Sequence, residues 1–251
     1  MLSYLYLDIE TAPAFDSKKE YLRLRDMILR GDLTPQSDPS LFYKVKNGAL
    51  NPHEGKVIVI SYAHDNDSPQ MLKEWESSEQ AILQEFHSVL DKATRETASS
   101  GKHLTYVGFN IIQYDLPFLF CRMQSYRMDD PKWLYKKLFH FSADLMQMHL
   151  PLNDYDFTGL THDALCSAYE VDTKGTTGDM IIDWYYEEKY AQIEDYVRSE
   201  FVHNRLFKKI LSEGLVEKGK LKLSVKTVLE KRRAPEGPVG WRRAAIGARH
   251  Q

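Results

Sequence analysis

Two carboxylates near the start of the chain have a spacing that can bind a metal ion. Asp8 and Glu10 end an apolar and aromatic run that begins at Leu2, and such a run predicts a buried strand. Side chains alternate faces along a strand, so these two point the same way, about 7 Å apart. Paired carboxylates at a buried strand end repel each other and lose hydration unless a cation lies between them. Such hard oxygen ligands suit Mg²⁺ or Mn²⁺; the alternative is a strand end whose acids simply face water.

Two later stretches carry acids that could join this pair. Asp115 follows a predicted strand and begins a predicted helix, where a carboxylate is either an ordinary cap or a ligand at the carboxyl edge of the sheet. Tyr196 and Glu200 are four residues apart and therefore share one helix face. A tyrosine hydroxyl one turn from a carboxylate can hold a water against a metal, although both residues can also be plain surface residues.

Taken together, the three stretches resemble the three Exo motifs of the DEDD 3′–5′ exonucleases. The first matching stretch is Asp8-Ile9-Glu10-Thr11, the second runs from Gly108-Phe109-Asn110 to Tyr114-Asp115-Leu116-Pro117, and the third is Tyr196-x₃-Glu200. The resemblance is closest to the DEDDy branch, and within it to stand-alone exonucleases related to the proofreading domain of family-B DNA polymerases. It covers about residues 2–211.

The third motif departs from the family at one position. The family pattern asks for aspartate where this chain has Glu200. The extra methylene moves the carboxylate by about 1.5 Å on a fixed backbone, and a misplacement on the order of 1 Å can cost ~100-fold in rate. Tyr190-x₃-Glu194 offers a second frame, and Asp195 is an aspartate nearby. We prefer the Tyr196/Glu200 frame, because the residues after it then fall where the family's helix continues.

The resemblance implies a fold and a set of roles. The implied fold is α/β and RNase H-like, a mixed sheet of three antiparallel and then two parallel strands flanked by helices. The implied cofactor is two ions of Mg²⁺ or Mn²⁺, which would activate a water and neutralise charge on the leaving oxygen. The implied metal ligands are Asp8, Glu10, Asp115 and Glu200, and Tyr196 would orient the attacking water together with Glu10. All five residues are thus the implied catalytic group, and the product is a nucleoside 5′-monophosphate released from the 3′ end.

The expected partner is the 3′ end of single-stranded nucleic acid, DNA in preference to RNA, since the terminal phosphodiester must reach the metals unpaired. The residues expected to bind it are Thr11, Asn110, Tyr114 and Lys174, of which Tyr114 offers an aromatic face for base stacking. Two alternatives stay open. One is a catalytically weakened RNase H-like module that binds nucleic-acid ends for a partner protein, and the other is a 3′–5′ exoribonuclease of the same fold.

The apolar periodicity predicts the elements that must position these residues. The predicted strands are residues 2–7, 56–64, 70–75, 104–110 and 139–146. The predicted helices are residues 18–30, a segment from Ser77 or Ser78 to about 93, one that begins near 114, and residues 160–169, 179–186 and 193–211. Strands come first, strand and helix then alternate, and helices finish the domain, which favours a mixed sheet covered by helices.

Charge is distributed unevenly along the chain. Residues 218–251 carry a balance of +8, which leaves −11 on residues 1–217. We therefore predict an RNase H-like domain over residues 1–215 and a basic, flexible tail over residues 216–251. We favour a tail that is simply disordered; the alternative is that its basic residues add salt-dependent affinity for phosphate.

Other features narrow the class of protein. No run approaches the roughly eighteen apolar residues of a membrane span, and the start has no basic leader, so we expect a cytoplasmic protein with no membrane partner. Cys121 and Cys166 lie among apolar residues, which indicates buried thiols in a reducing compartment. No His–Cys or His–His spacing matches a zinc site, so we interpret four histidines as structural: His140, His149, His162 and His203. The sequence shows neither a phosphate-binding glycine loop nor a nucleophile elbow.

Overall fold

The computed structural model describes residues 2–139, 141–172, 178–216 and 219. A five-stranded mixed sheet lies at its centre, in the order β3-β2-β1-β4-β5. The strands are β1 Leu2–Pro13, β2 Gly55–His64, β3 Gln70–Lys73, β4 His103–Gly108 and β5 Ser142–Asp144. The first three pair antiparallel, and β4 and β5 run parallel to β1. The predicted α/β class and strand directions are confirmed, and the arrangement is consistent with an RNase H-like fold. Lys174 and nearly all of the basic tail lie outside the described residues.

Helices cover both faces of the sheet. They are α1 Lys18–Arg30, α2 Pro39–Asn47, α3 Glu79–Ser99, α4 Asp115–Ser125, α5 Pro131–Leu138, α6 His162–Ala168, α7 Ile181–Tyr186, α8 Tyr190–Glu200 and α9 His203–Glu213. Short 3₁₀ turns lie at Gly48–Leu50, Glu74–Glu76, Gln147–Asn153 and Gly178–Met180. Among the helices described, none combines the length and the apolar character that crossing a membrane requires.

Strand β1 is buried on both faces, and its alternation decides where the acids point. Leu5, Leu7 and Ile9 pack into the core formed with α3 and α4. Tyr6, on the opposite face, packs with residues of β5, α6 and α9. Because side chains two apart share a face, Asp8 and Glu10 point to the side of α6 and α9.

Several predicted boundaries were wrong. The single helix over 193–211 is two helices, because the chain turns after Glu200 and buries both Phe201 and Val202 against the sheet. The helix predicted to end near 93 continues to Ser99, and the strand predicted over 139–146 is only three residues long. Helices α2 and α5 were not predicted. Each has a proline in its first turn after an aspartate cap, where proline is tolerated and does not break the helix.

A buried ion pair joins α3 to α4 and gives a prediction about stability. Glu79, 5% exposed, accepts hydrogen bonds from the Arg122 guanidinium at 2.8 and 2.6 Å, and also from the Val57 N–H. Glu79→Gln is expected to lower the free energy of unfolding by about 3 kcal/mol, because it leaves the Arg122 charge without its counter-ion. Urea denaturation measures the change. The matched control on the same helix is Glu96→Gln, whose exposed pair with Lys92 at 3.9 Å should be worth less than about 1 kcal/mol. Equal losses in the two variants would contradict the prediction.

Candidate metal centre

The opening strand presents its two acids side by side. Asp8 lies opposite Ser61 and Glu10 opposite Val59, and the irregularity in the ladder comes only after Glu10. The alternation of side chains between these two positions is therefore intact. Both carboxylates are half-buried.

Asp115 reaches the same strand from the start of α4. Its Oδ1 accepts a hydrogen bond from the backbone N–H of Ile9 at 2.9 Å, and the residue is 3% exposed. Strand β4 pairs with β1 only as far as Tyr6, so the N–H of Ile9 needs a partner on that edge, and the Asp115 carboxylate supplies it. Because Ile9 lies between Asp8 and Glu10, this hydrogen bond holds Asp115 against the segment of backbone that carries the first two acids.

Gly108 lets the chain turn sharply between β4 and α4. A Cβ at this position would stand 2.5 Å from the Leu7 carbonyl oxygen and 2.3 Å from the Ile111 side chain, so a larger residue would push β4 away from β1. Two residues later, Asn110 has a φ of 59°, in the left-handed region that asparagine tolerates better than most residues. The backbone around Asn110 therefore follows a tight path between the strand and Asp115.

Asp144, which sequence reasoning missed, shapes this turn. It is 2% exposed, and its carboxylate accepts hydrogen bonds from the N–H groups of Asn110 and Ile112 and from those of Met146 and Gln147. The signal in the sequence was an aspartate within the strand predicted over residues 139–146, and in the structure it is the last residue of β5. Its role in the structure is to hold the loop that carries Asn110.

Glu200 comes to the centre from the last turn of α8. Its Oε2 lies 3.2 Å from Nδ1 of His162, and its side chain is 12% exposed. Its Oε1 is buried and has no hydrogen-bond partner within the described part of the chain. His162, which we interpreted as structural, is thus in direct contact with one of the predicted ligands.

The geometry favours the Tyr196/Glu200 frame over its neighbour. Glu194 forms ion pairs with Lys73 at 3.1 Å and with Arg198. Asp195 is 71% exposed and lies 3.6 Å from the same arginine. Of the three acids on α8, Glu200 is the one that contacts His162 and acts on the charge of Asp8. Tyr196 lies one turn before it, half-buried, with its ring against Trp184.

Two of the residues predicted to bind nucleic acid, Thr11 and Tyr114, make hydrogen bonds within the protein. The hydroxyls of Thr11 and Tyr114 each lie within hydrogen-bond distance of the Ala49 carbonyl oxygen, at 2.8 and 2.9 Å, and 2.6 Å from each other. These hydroxyls hold the turn before β2 against β1 and the start of α4. The half-buried ring of Tyr114 remains a candidate for stacking.

Burial, and after it the charges of neighbouring groups, changes the pKa values of the acids at this site. Burial raises the pKa of Asp8 to about 7, with the nearby His162 opposing the rise and Glu200 adding to it. Burial and the neighbouring charge of Asp8 likewise raise the pKa of Asp115 well above its ordinary value, against the hydrogen bond from Ile9. Raised pKa values mean that the negative charge of this cluster is not fully compensated by the protein itself.

A pH-dependent loss of stability follows from Asp8. Its folded pKa of about 7 lies above the unfolded value, so the folded chain keeps a proton that the unfolded chain releases. Between about pH 4 and 7, Asp8 therefore lowers the stability of the metal-free protein as the pH rises. His203 has the opposite slope, since burial lowers its pKa to about 3.

The contribution of Asp8 is isolated by measuring the Tm of wild type and of Asp8→Asn at each pH and taking the difference. With EDTA present, the Tm advantage of Asp8→Asn should be small near pH 4 and should grow up to about pH 7. With a saturating divalent ion at pH 8, wild type should have the higher Tm, because the ion stabilises only a chain that binds it. An advantage that shrinks as the pH rises would contradict the assignment.

The donor chemistry fits hard divalent ions. Asp8, Asp115 and Glu200 come from β1, α4 and α8, and together with Glu10 they offer only oxygen atoms, which suits Mg²⁺ or Mn²⁺. Among the described residues, the donors that lie within 4.8 Å of one another are those of His162, Asp163 and Glu200, and of the predicted ligands only Glu200 belongs to this group. The unpartnered Oε1 of Glu200 and the raised pKa values of Asp8 and Asp115 are what a site built around a cation would show in the bare protein. Comparison with known proteins adds no assignment: no family model, no curated protein and no solved structure matches this chain.

Proposed function

We propose that the protein is a metal-dependent 3′–5′ exonuclease that shortens single-stranded DNA and releases nucleoside 5′-monophosphates. The observation that carries the proposal is the hydrogen bond from the Ile9 N–H to Asp115, because it joins acids more than 100 residues apart in the chain. Glu200, a further 85 residues along, stands close enough to influence the charge on Asp8. These two observations support the proposal that the motifs resembling those of the exonucleases form one site.

The proposed roles are those that the resemblance implies. Asp8, Glu10, Asp115 and Glu200 would hold two divalent ions, which when bound supply an activated water and neutralise charge on the leaving oxygen. Asp115 is held rigidly by Ile9, and Asp8 and Glu10 by the central strand, so the donor atoms are preorganised. The hydroxyl of Tyr196, one turn from Glu200, would position the attacking water together with Glu10.

One observation favours a second candidate, a module that binds nucleic-acid ends with little or no catalysis. Glu200 stands where the resembling family has aspartate, and its Oε2 is engaged by His162. A carboxylate that is held by a neighbouring imidazole is less available to a metal ion. The fold and the binding face would survive this change, whereas the rate would fall.

A single assay separates these candidates. A single-stranded DNA labelled at its 5′ end is incubated with the protein and Mg²⁺ or Mn²⁺, beside a matched RNA and beside the same DNA with a blocked 3′ end. A ladder of products shortened from the 3′ end, absent with the blocked strand, is the expected result. Binding without shortening would support the module, and faster shortening of RNA would support the exoribonuclease.

A further inference from the structure

A histidine at the start of α6 stands against the Glu200 side of the candidate metal centre. His162 has its side chain 16% exposed, and its Nδ1 lies 3.2 Å from Oε2 of Glu200. Its other ring nitrogen, Nε2, lies 3.6 Å from the Cys166 sulfur. The ring is therefore held from both sides, with one nitrogen directed at a predicted metal ligand.

Asp163, next to His162 at the start of α6, supplies a third donor atom close to Glu200. A ring nitrogen of His162 and one carboxylate oxygen from each of Asp163 and Glu200 lie within 4.8 Å of one another. Donors bound to one ion at about 2.1 Å lie about 3–4 Å apart. A movement of less than about 1 Å by flexible side chains would bring these three donors to bonding distance of one ion.

Two buried atoms beside these donors lack the partners that such atoms normally have. Oε1 of Glu200 is inaccessible to solvent and accepts no hydrogen bond from any described residue. Nδ1 of His203 is in the same situation, in a residue 3% exposed whose ring centroid lies 5.4 Å from that of His162. A buried carboxylate oxygen without a partner is costly, and a cation at Glu200 would remove that cost.

We propose that His162 becomes a nitrogen ligand to the divalent ion bound by Glu200, releasing its ring proton to solvent as the ion binds, and that Asp163 joins it in the same coordination sphere. The proposal rests on the proposed function only in taking Glu200 to bind an ion. Mg²⁺ prefers an all-oxygen shell, whereas a mixed nitrogen and oxygen shell favours first-row transition ions. The centre therefore prefers Mn²⁺ to Mg²⁺, and the side chain of His162 is the reason.

The test is a spectroscopic and thermodynamic one on the full-length protein. Pulsed electron paramagnetic resonance of bound Mn²⁺ detects coupling to a directly bonded ¹⁴N nucleus, and calorimetry measures the affinities for Mn²⁺ and Mg²⁺ separately. Wild type should show ¹⁴N coupling. His162→Gln should lose it and weaken Mn²⁺ binding by about tenfold, with a much smaller change for Mg²⁺. His103→Ala, an exposed histidine at the opposite end of β4, is the matched control and should change neither.

Several outcomes would overturn the inference. Absence of ¹⁴N coupling for Mn²⁺ bound to the wild-type protein would do so by itself, and this result does not depend on whether His162→Gln folds. Equal losses of Mn²⁺ and Mg²⁺ affinity in His162→Gln would also do so, since the histidine would then not select between the ions. If the protein shows ¹⁴N coupling but does not shorten DNA, the proposed function is contradicted and the ligand assignment stands. If it shortens DNA but shows no ¹⁴N coupling, only the ligand assignment is contradicted.

Discussion

Asp8→Asn is expected to lower the rate of DNA shortening by about 100- to 1000-fold, the range for loss of one preorganised electrostatic contact in an active site. Asp8 precedes Ile9, whose backbone N–H holds Asp115, and its carboxylate is close enough to Glu200 for the two charges to interact. Asparagine has nearly the same shape but no charge, so it removes a metal ligand without opening a cavity. Measured rates on 5′-labelled single strands, at saturating metal, check the effect.

The Asp8→Asn result is informative only if the variant folds, and folding is expected to improve in the absence of metal. Asparagine removes the cost of burying the Asp8 charge and, to a lesser extent, its repulsion by Glu200. Thermal unfolding in EDTA at neutral pH should therefore occur at a higher temperature than in wild type. Asp67→Asn, in the exposed turn between β2 and β3, is the control for a neutral surface change and should leave the rate as it is. A well-folded Asp8→Asn protein with the wild-type rate would rule out the proposed centre.

The second large effect is expected at Glu200. Glu200→Gln should lower the rate by about 100-fold, because it removes the charge that α8 contributes to the centre. Glu200→Asp should keep the wild-type rate or raise it, since it restores the residue of the resembling family. Rates of the two variants on the same single strand, compared with wild type, make the measurement.

Asp195→Asn decides between the two frames on α8. Its carboxylate is exposed and lies beside Arg198, so the substitution should leave the rate unchanged. If Asp195→Asn abolished shortening while Glu200→Gln did not, the alternative frame would be the correct one. The α8 helix would then have to rotate from its position in the structure, because Glu194 and Asp195 now face other partners.

Local pattern was sufficient to predict the sheet. The apolar run of β1, the hairpin of β2 and β3, and the alternation of strand and helix after them are each visible within a short window of sequence, and all were found in the structure. The acids of β1 were recognisable for the same reason, since strand alternation alone puts Asp8 and Glu10 on one face. Helix ends were less predictable. The break at Phe201 exists because both it and Val202 bury their side chains against distant elements, and a window of neighbouring residues does not contain those elements.

The sequence by itself determined the strand that carries Asp8 and Glu10, the acid at the start of α4, and the resemblance that connects them with Glu200. Only the tertiary structure decided which histidine and which further aspartate stand beside them. His162 and Asp144 lie 38 and 34 residues from their partners Glu200 and Asn110. Contacts of that separation depend on how helices pack on the sheet, because packing energy is shared among many side chains, whereas strand and helix periodicity is a property of neighbours in the chain.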